Sequence, residues 1–244
     1  MREVAMHPTA MKNCEMFFKA YGNSFPAKDQ LKIIEIGSQD VNGSIRSAAP
    51  PEATYIGVDF ARAKGVDVVL DDPYSLPFAD NEADIVLTSS CLEHSELFWL
   101  SFLEMMRILK PSGLLYINAP SNGIIHKFPV DCWRFYPDSG HALVTWARRN
   151  QMNAALLESY VSNQSGGRLG TWNDFVAVFV KDEQFVAKYP KRILHSFTDF
   201  RNGAIYGKKE PLQFVNVTED QAKAMFLLQR IENLYSESRR VSFD

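Results

Sequence analysis

Acidic side chains stand at the ends of three successive short apolar runs. Glu35 lies in the Glu-Ile-Gly that ends the run 31–36, Asp59 closes 54–58, and Asp71 and Asp72 follow 66–70. A carboxylate at the end of a strand can accept hydrogen bonds from both hydroxyls of a ribose, and one further along can accept from the exocyclic amine of adenine. Asp59, some 22 residues past Gly37, suits the first role and Asp72 the second, so the acids outline an adenosine-shaped crevice. Between Glu35 and Ser44 the chain reads Glu-Ile-Gly-Ser-Gln-Asp-Val-Asn-Gly-Ser, a turn in which glycine permits positive φ or close approach of a ligand to bare backbone. The dinucleotide pattern GxGxxG fails there, because Gln39 occupies the place of its second glycine. Two histidines, His94 and His126, follow later apolar runs, and a neutral imidazole, with an ordinary pKa of about 6.5, is a suitable base for a hydroxyl proton.

The elements that must position these groups alternate as in an α/β sheet. Residues 9–21 read as a helix stopped by Gly22; 31–36, 54–58, 66–70, 83–87 and 114–118 read as five buried parallel strands. A helix with Phe98, Phe102, Met105 and Leu109 on one side precedes a turn at Lys110-Pro111-Ser112-Gly113. After a helix at 138–149, the runs 154–161 and 175–180 are expected as an antiparallel pair joined by a Gly-rich loop at 162–171. Beyond Lys181 the pattern changes, and a capping box of Thr218 and Gln221 opens a helix whose stripe of Ala224, Leu227, Leu228, Ile231, Leu234 and Tyr235 must pack on the main domain or on another subunit. The expected division is 1–182 for the main domain and 183–244 for a C-terminal extension, with a homo-oligomer through the last helix as an open alternative.

Composition excludes several classes. With 244 residues, 46% hydrophobic and 23% charged, the chain can fill one sizeable core and is not globally disordered. A net charge of −3 supplies no field for phosphate backbones, so nucleic acid is not expected as a partner. No apolar run reaches the roughly 20 residues of a membrane span, and the opening residues form no secretory leader. Cys14, Cys91 and Cys132 are odd in number and widely spaced without a CxxC pair, which fits a reducing cytoplasm and gives no reason to expect a metal.

Six segments in register carry a resemblance: Glu-Ile-Gly at 35–37, Tyr-Ile-Gly-Val-Asp at 55–59, Asp72-Pro-Tyr-Ser-Leu-Pro-Phe78, Ala-Asp-Ile-Val at 83–86, Leu-Glu-His at 92–94, and Glu104 to Gly113. In this order they resemble the motifs of class I S-adenosylmethionine-dependent methyltransferases, most closely the type 11 branch, over about residues 31–120. The resemblance implies a Rossmann-like, seven-stranded, mainly parallel sheet of order 3-2-1-4-5-7-6 flanked by helices. It implies S-adenosylmethionine as cofactor, with Glu35, Gly37 and Ser38 around its methionine part, Asp40 and Gly43 continuing that loop, Asp59 on the ribose, Asp72 on the adenine amine, and Phe60 and Leu76 beside the ring.

The segment His126 to Pro137 is similar to a feature of methyltransferases found with polysaccharide- and sugar-modifying enzymes. Trp133, Arg134 and Tyr136 would there grip a polar acceptor by stacking and hydrogen bonding. His126 is preferred as the base, His94 is its rival, and Asp131 either orients a histidine or is itself the base. The activity implied is methyl transfer to a small polar acceptor, a saccharide hydroxyl above others. The alternatives are a non-catalytic binding protein that keeps the fold, or a methyltransferase acting on a macromolecule. Against a nucleic-acid methyltransferase, Thr88-Ser-Ser-Cys-Leu92 stands where an Asn-Pro-Pro-Tyr type motif is expected; against an NAD-linked enzyme stand Gln39 and the lack of a Tyr-x-x-x-Lys set.

Overall fold

Short apolar runs that are buried on both sides become parallel strands, and here they set one sheet through the molecule. The computed structural model describes residues 8–25, 27–41, 43–163 and 173–241. Helix α1 (Pro8–Tyr21) leads into β1 (Lys32–Ile36), β2 (Thr54–Asp59), β3 (Val68–Val69) and β4 (Ala83–Ser89). Then come α2 (Phe98–Ile108), β5 (Leu109–Pro120), α3 (Ser139–Arg149), β6 (Ala155–Ser162), β7 (Asp174–Val180), β8 (Phe200–Ile205) and α4 (Glu219–Val241). The sheet order is β3-β2-β1-β4-β5-β7-β6-β8. Strands β1 to β5 are parallel, with Ile34 opposite both Ile56 and Val86, and β7, β6 and β8 close the other side antiparallel.

Alternation along each strand divides the core. Ile34, Val86, Leu115 and Phe179 face α2 and α3, where Phe102, Met105, Met106, Leu143 and Ala147 cover them. Ile33, Ile85, Tyr116 and Val178 face the other side, against Cys14, Phe17 and Tyr21 of α1 and against Tyr189 and Ile193. Full burial of such side chains stabilises the fold by about 1.5–3 kcal/mol each, so the sheet is a rigid platform and its strand ends are fixed points.

The structure departs from the sequence expectations in four places. First, the sheet has eight strands rather than seven, because β8 from the C-terminal segment pairs with β6; the expected division after residue 182 therefore falls between strands of one sheet. A buried carboxylate anchors this segment: Glu158 on β6 accepts from Tyr21 Oη and from the N–H groups of Ile193 (2.7 Å) and Leu194 (3.0 Å). Second, β3 is two residues long rather than five, since Asp67 just before it spends its carboxylate on the Gly57 N–H (2.7 Å) and on Arg46. Third, residues 110–113 are extended within β5, where Pro111 O and Gly113 O accept from Asp182 and Lys181 after β7.

Fourth, of the two expectations for the stripe on α4, packing on the main domain is not met, which leaves another subunit: Leu228, Ile231, Leu234 and Tyr235 are about 60% exposed. The capping box at its start is formed as expected, with Gln221 N–H on Thr218 Oγ1 (3.2 Å) and Thr218 N–H on Gln221 Oε1 (3.0 Å). Its first turn docks at the end of β5, where Asn122 Nδ2 donates to Asp220 Oδ1 (2.8 Å). Of the Gly-rich loop expected after β6, residues 164–172 lie outside the described residues.

Candidate active site

The carboxyl ends of β1, β2, β4 and β5 converge on one side of the sheet, and two groups of side chains meet there. The first follows β1. Gly37 N–H and Ser38 N–H both donate to Val58 O, at 2.9 and 3.1 Å, which turns the chain sharply off the strand. Gly37 has φ +81°, and a Cβ there would lie 2.4 Å from the Cβ of Cys91, so only glycine fits. Asp40 then ties the loop down: its N–H donates to Lys64 O (2.8 Å), its carboxylate pairs with Lys64 Nζ (2.6 Å), and its Oδ1 accepts from Gly43 N–H (2.8 Å). The Lys64 hydrogen bond holds the Asp40 carboxyl below its usual range.

Asp59 ends β2 and is nearly buried. Its Oδ1 accepts from Gln39 Nε2 (2.8 Å) and from Ala61 N–H (3.2 Å). The glutamine that breaks the dinucleotide fingerprint is thus a partner of the presumptive ribose carboxylate. Ser38 Oγ and Ser89 Oγ, at the adjacent ends of β1 and β4, are buried with no hydrogen-bond partner among the described residues, so the turn keeps polar capacity for a ligand. Phe60 is half exposed beside Asp59, as a residue flanking a planar ring would be.

The remaining donor-side candidates sit differently from their expected roles. Glu35 shares the α1 face of β1 with Ile33 and accepts from Tyr55 Oη (2.8 Å). Burial pushes its carboxyl up to about 7, against the opposing pull of the Tyr55 hydrogen bond. Asp72 is exposed and closes its own turn through Tyr74 N–H (2.8 Å). Leu76 is in the core, its N–H on Glu104 Oε2 (2.9 Å) and its carbonyl on Arg107 (3.0 Å). Glu104 and Arg107 of α2 thereby anchor the loop 72–78, with Arg107 also on Phe78 O (2.9 Å).

The second group follows β4 and β5. A short 3-10 turn, Leu92–His94, presents His94, whose Nδ1 is 2.5 Å from Val130 O. The His126 ring stands edge-on to it, centroids 4.9 Å apart at 89°. Burial lowers the His94 pKa, with a smaller push in the same direction from His126. Asp131 is fully engaged: Oδ1 and Oδ2 receive Arg134 Nη1 (2.5 Å) and Nη2 (2.8 Å), and Oδ2 also receives the His126 N–H (2.6 Å). The guanidinium holds its carboxyl far below the usual range. A carboxylate so occupied is a poor proton acceptor, so the geometry fits Asp131 as orienter of His126 rather than as the base.

Arg134 is spent on Asp131, Trp133 O and Ile124 O, which makes it a brace for the loop. Trp133 packs edge-on against Phe98 and Trp99, its Nε1 on Ser95 O (2.9 Å), and belongs to the core rim. Tyr136 is 55% exposed and is the one of the three proposed acceptor contacts that faces solvent. Glu93 escaped the sequence reading. It is 1% exposed, burial pushes its carboxyl up to about 8, and its Oε2 has no hydrogen-bond partner among the described residues. Glu93, His94 and His126 each offer a ligand atom within 4.8 Å of the others, although no metal was expected from the sequence. Gly65 was missed too: with φ +88° it lets Ser38 O approach to 2.6 Å of where a Cβ would stand.

Comparison with known proteins now bears on this geometry. Residues 45–117 match a family model described as "Methyltransferase domain", a window that begins after the β1 loop. An uncharacterized methyltransferase of Mycobacterium avium (strain 104) is 34% identical over 83 residues, 34% of this chain and 29% of that protein, so the match spans under a third of the relative. Among solved structures, the Burkholderia thailandensis 1,6-didemethyltoxoflavin-N1-methyltransferase, holding its acceptor and S-adenosylhomocysteine, superposes with a TM-score of 0.51 at 14% identity, over 71% of this chain and 79% of that one. The cyclase SpnF superposes equally well, with a TM-score of 0.51 at 14% identity over 70% and 81%. The sheet with its converging strand ends is therefore the Rossmann-like fold of class I methyltransferases, and residues 45–117 resemble their catalytic domain in sequence as well.

Proposed function

We propose that this chain transfers a methyl group from S-adenosylmethionine to a polar small-molecule acceptor, a hydroxyl of a saccharide or related metabolite. The observation that carries the reading is the placement of the Gly37-Ser38 turn, the nearly buried Asp59 and the His94–His126 pair at neighbouring strand ends of a methyltransferase fold. The cofactor supplies an electrophilic methyl on a sulfonium. Asp59 accepts from the ribose hydroxyls, Gly37 and Ser38 line the methionine part with Asp40 and Gly43 bracing their loop, Phe60 flanks the adenine, and Asp72 takes its amine by leaving its own turn. Tyr136 and the two histidines face the acceptor; His126, oriented by Asp131, takes the hydroxyl proton.

The free cysteines and the exposed α4 stripe support two subsidiary readings: a cytoplasmic setting and a second copy of the chain against α4. No helix among the described residues is long and apolar enough to cross a membrane. Calorimetry with S-adenosylmethionine, followed by S-adenosylhomocysteine release across sugars, nucleotide sugars and small acids, tests the function. Turnover with protein or RNA fractions alone would reject the acceptor class, and preference for NAD would reject the cofactor. A second reading, a protein of this fold that binds the cofactor without methylating, is favoured by the engagement of both Asp131 oxygens within the acceptor-side loop, which leaves that carboxylate poorly placed to serve as a base. Tight binding with no turnover on any acceptor would select it.

A further inference from the structure

Glu93 is a buried carboxylate beside the histidine pair, and, unlike the equally buried Asp131, it has no part in the proposed proton transfer. Its Oε1 lies 3.7 Å from His94 Nε2, and its Oε2 is buried with no hydrogen-bond partner among the described residues. An orphaned carboxylate oxygen of this kind marks a place for a cation or a donor. His94 is turned for ligation: Val130 O engages Nδ1 at 2.5 Å, which sets the tautomer with its lone pair on Nε2, on the side of Glu93. His126 is held in the same manner, its Nδ1 3.3 Å from Ile124 O and 3.6 Å from Asp131 Oδ2. Imidazoles that ligate a metal usually have their second nitrogen fixed by a carbonyl or a carboxylate, which forms the outer shell of the centre. Asp131 is paired with Arg134, whereas no lysine or arginine forms an ion pair with Glu93 among the described residues.

We infer that Glu93, His94 and His126 bind one divalent transition-metal ion, with zinc as the best match to two imidazoles and a carboxylate. The three ligand atoms lie within 4.8 Å of one another, and small side-chain rotations bring them to the spacing that bonds of about 2.1 Å require. Three protein ligands leave a position open, which is the arrangement of catalytic rather than structural centres.

The site lies on the acceptor side of the crevice, so the open position suits an oxygen of the acceptor. A hydroxyl bound there is more acidic: its proton passes to water, the O–CH3 bond forms, the S–CH3 bond of the sulfonium breaks, and S-adenosylhomocysteine leaves. In that case the two histidines act as ligands, and His126 is relieved of the role of base. This last step rests on the methyl-transfer reading; metal binding does not.

The test is calorimetric titration of the chelator-treated chain with Zn2+, backed by the visible absorption of bound Co2+. One ion per chain is expected. His94→Ala and His126→Ala should each weaken binding by about tenfold or more, Glu93→Gln should do the same, and His141→Ala, an exposed residue of α3, should leave it unchanged. No binding, or binding of equal strength in the two histidine variants and the parent, would overturn the site. Because His126 is partly exposed, its variant should fold even if Glu93→Gln does not. S-adenosylmethionine titrated into the metal-free chain tests the donor site separately, so failure of the metal site and failure of the methyltransferase reading give different results.

Discussion

The donor and acceptor halves of the crevice hold their side chains by different means. On the donor side, the residues come from one loop and the two strands beside it, and the contacts are local and replaceable: Gln39 on Asp59, Lys64 on Asp40, Asp72 on its own turn. Each can be exchanged for a ligand contact at little cost. On the acceptor side, a bidentate ion pair of Asp131 and Arg134 fixes the loop that carries His126 and faces it to His94. The difference teaches that a common cofactor needs adaptable polar groups on a rigid turn, whereas chemistry at the acceptor needs groups already held in place.

If the acceptor half is pre-built, its brace should matter most to stability. Asp131→Asn removes one partner of a nearly buried pair and leaves the Arg134 charge behind; a loss of about 3 kcal/mol is expected in denaturant unfolding, and a loss under 1 kcal/mol would erase the contrast between the halves. Next in size, His126→Ala should lower turnover about 100-fold or more while cofactor affinity stays within a factor of two. A parallel loss of affinity would mean that the halves are not separable.

On the donor side, Asp59→Ala should weaken S-adenosylmethionine binding by about 1.5–3 kcal/mol, because it strips a charged acceptor from the ribose hydroxyls. Calorimetry reads this directly, and an unchanged affinity would remove Asp59 from the site. The finest test uses the pH dependence of stability. A carboxyl raised to about 7 in the folded state, as for Glu35, contributes stability that is full below the ordinary carboxylate range and is lost as pH rises through 7. Glu35→Gln should therefore flatten the fall in stability between pH 5 and pH 8, by an amount on the order of 2 kcal/mol. Thermal melts at those two pH values would show it, and an unaltered slope would assign the fall to other buried acids such as Glu93.

Much of the sheet was legible because a strand buried on both faces needs mostly apolar residues, and β1, β4 and β7 carry them as Ile33-Ile34, Ile85-Val86-Leu87 and Phe175 to Val180. Strand β8 was not, since Arg201, Asn202 and Gly203 interrupt its apolar residues and only its pairing with β6 makes it a strand. The same division runs through the site. The placement of Asp59 and Gly37 at strand ends could be read, because each directly closes or follows an apolar run. The hydrogen bond of Glu35 could not, because it depends on Tyr55 from the neighbouring strand, and the meeting of Glu93 with His126 depends on how a loop 33 residues further on folds back.

The eighth strand has a practical consequence for shortened forms of the chain. A version ending at residue 182 would keep every proposed cofactor contact, yet it would remove the partner of β6 along residues 158–162 and the two N–H groups that satisfy Glu158. The new border would be a long apolar edge with open hydrogen-bonding groups, the kind that recruits strands from other molecules, whereas β8 as it stands is short and kinked at Asn202 (φ +51°). Shortening at that point should thus yield self-associating material even where the catalytic half is intact.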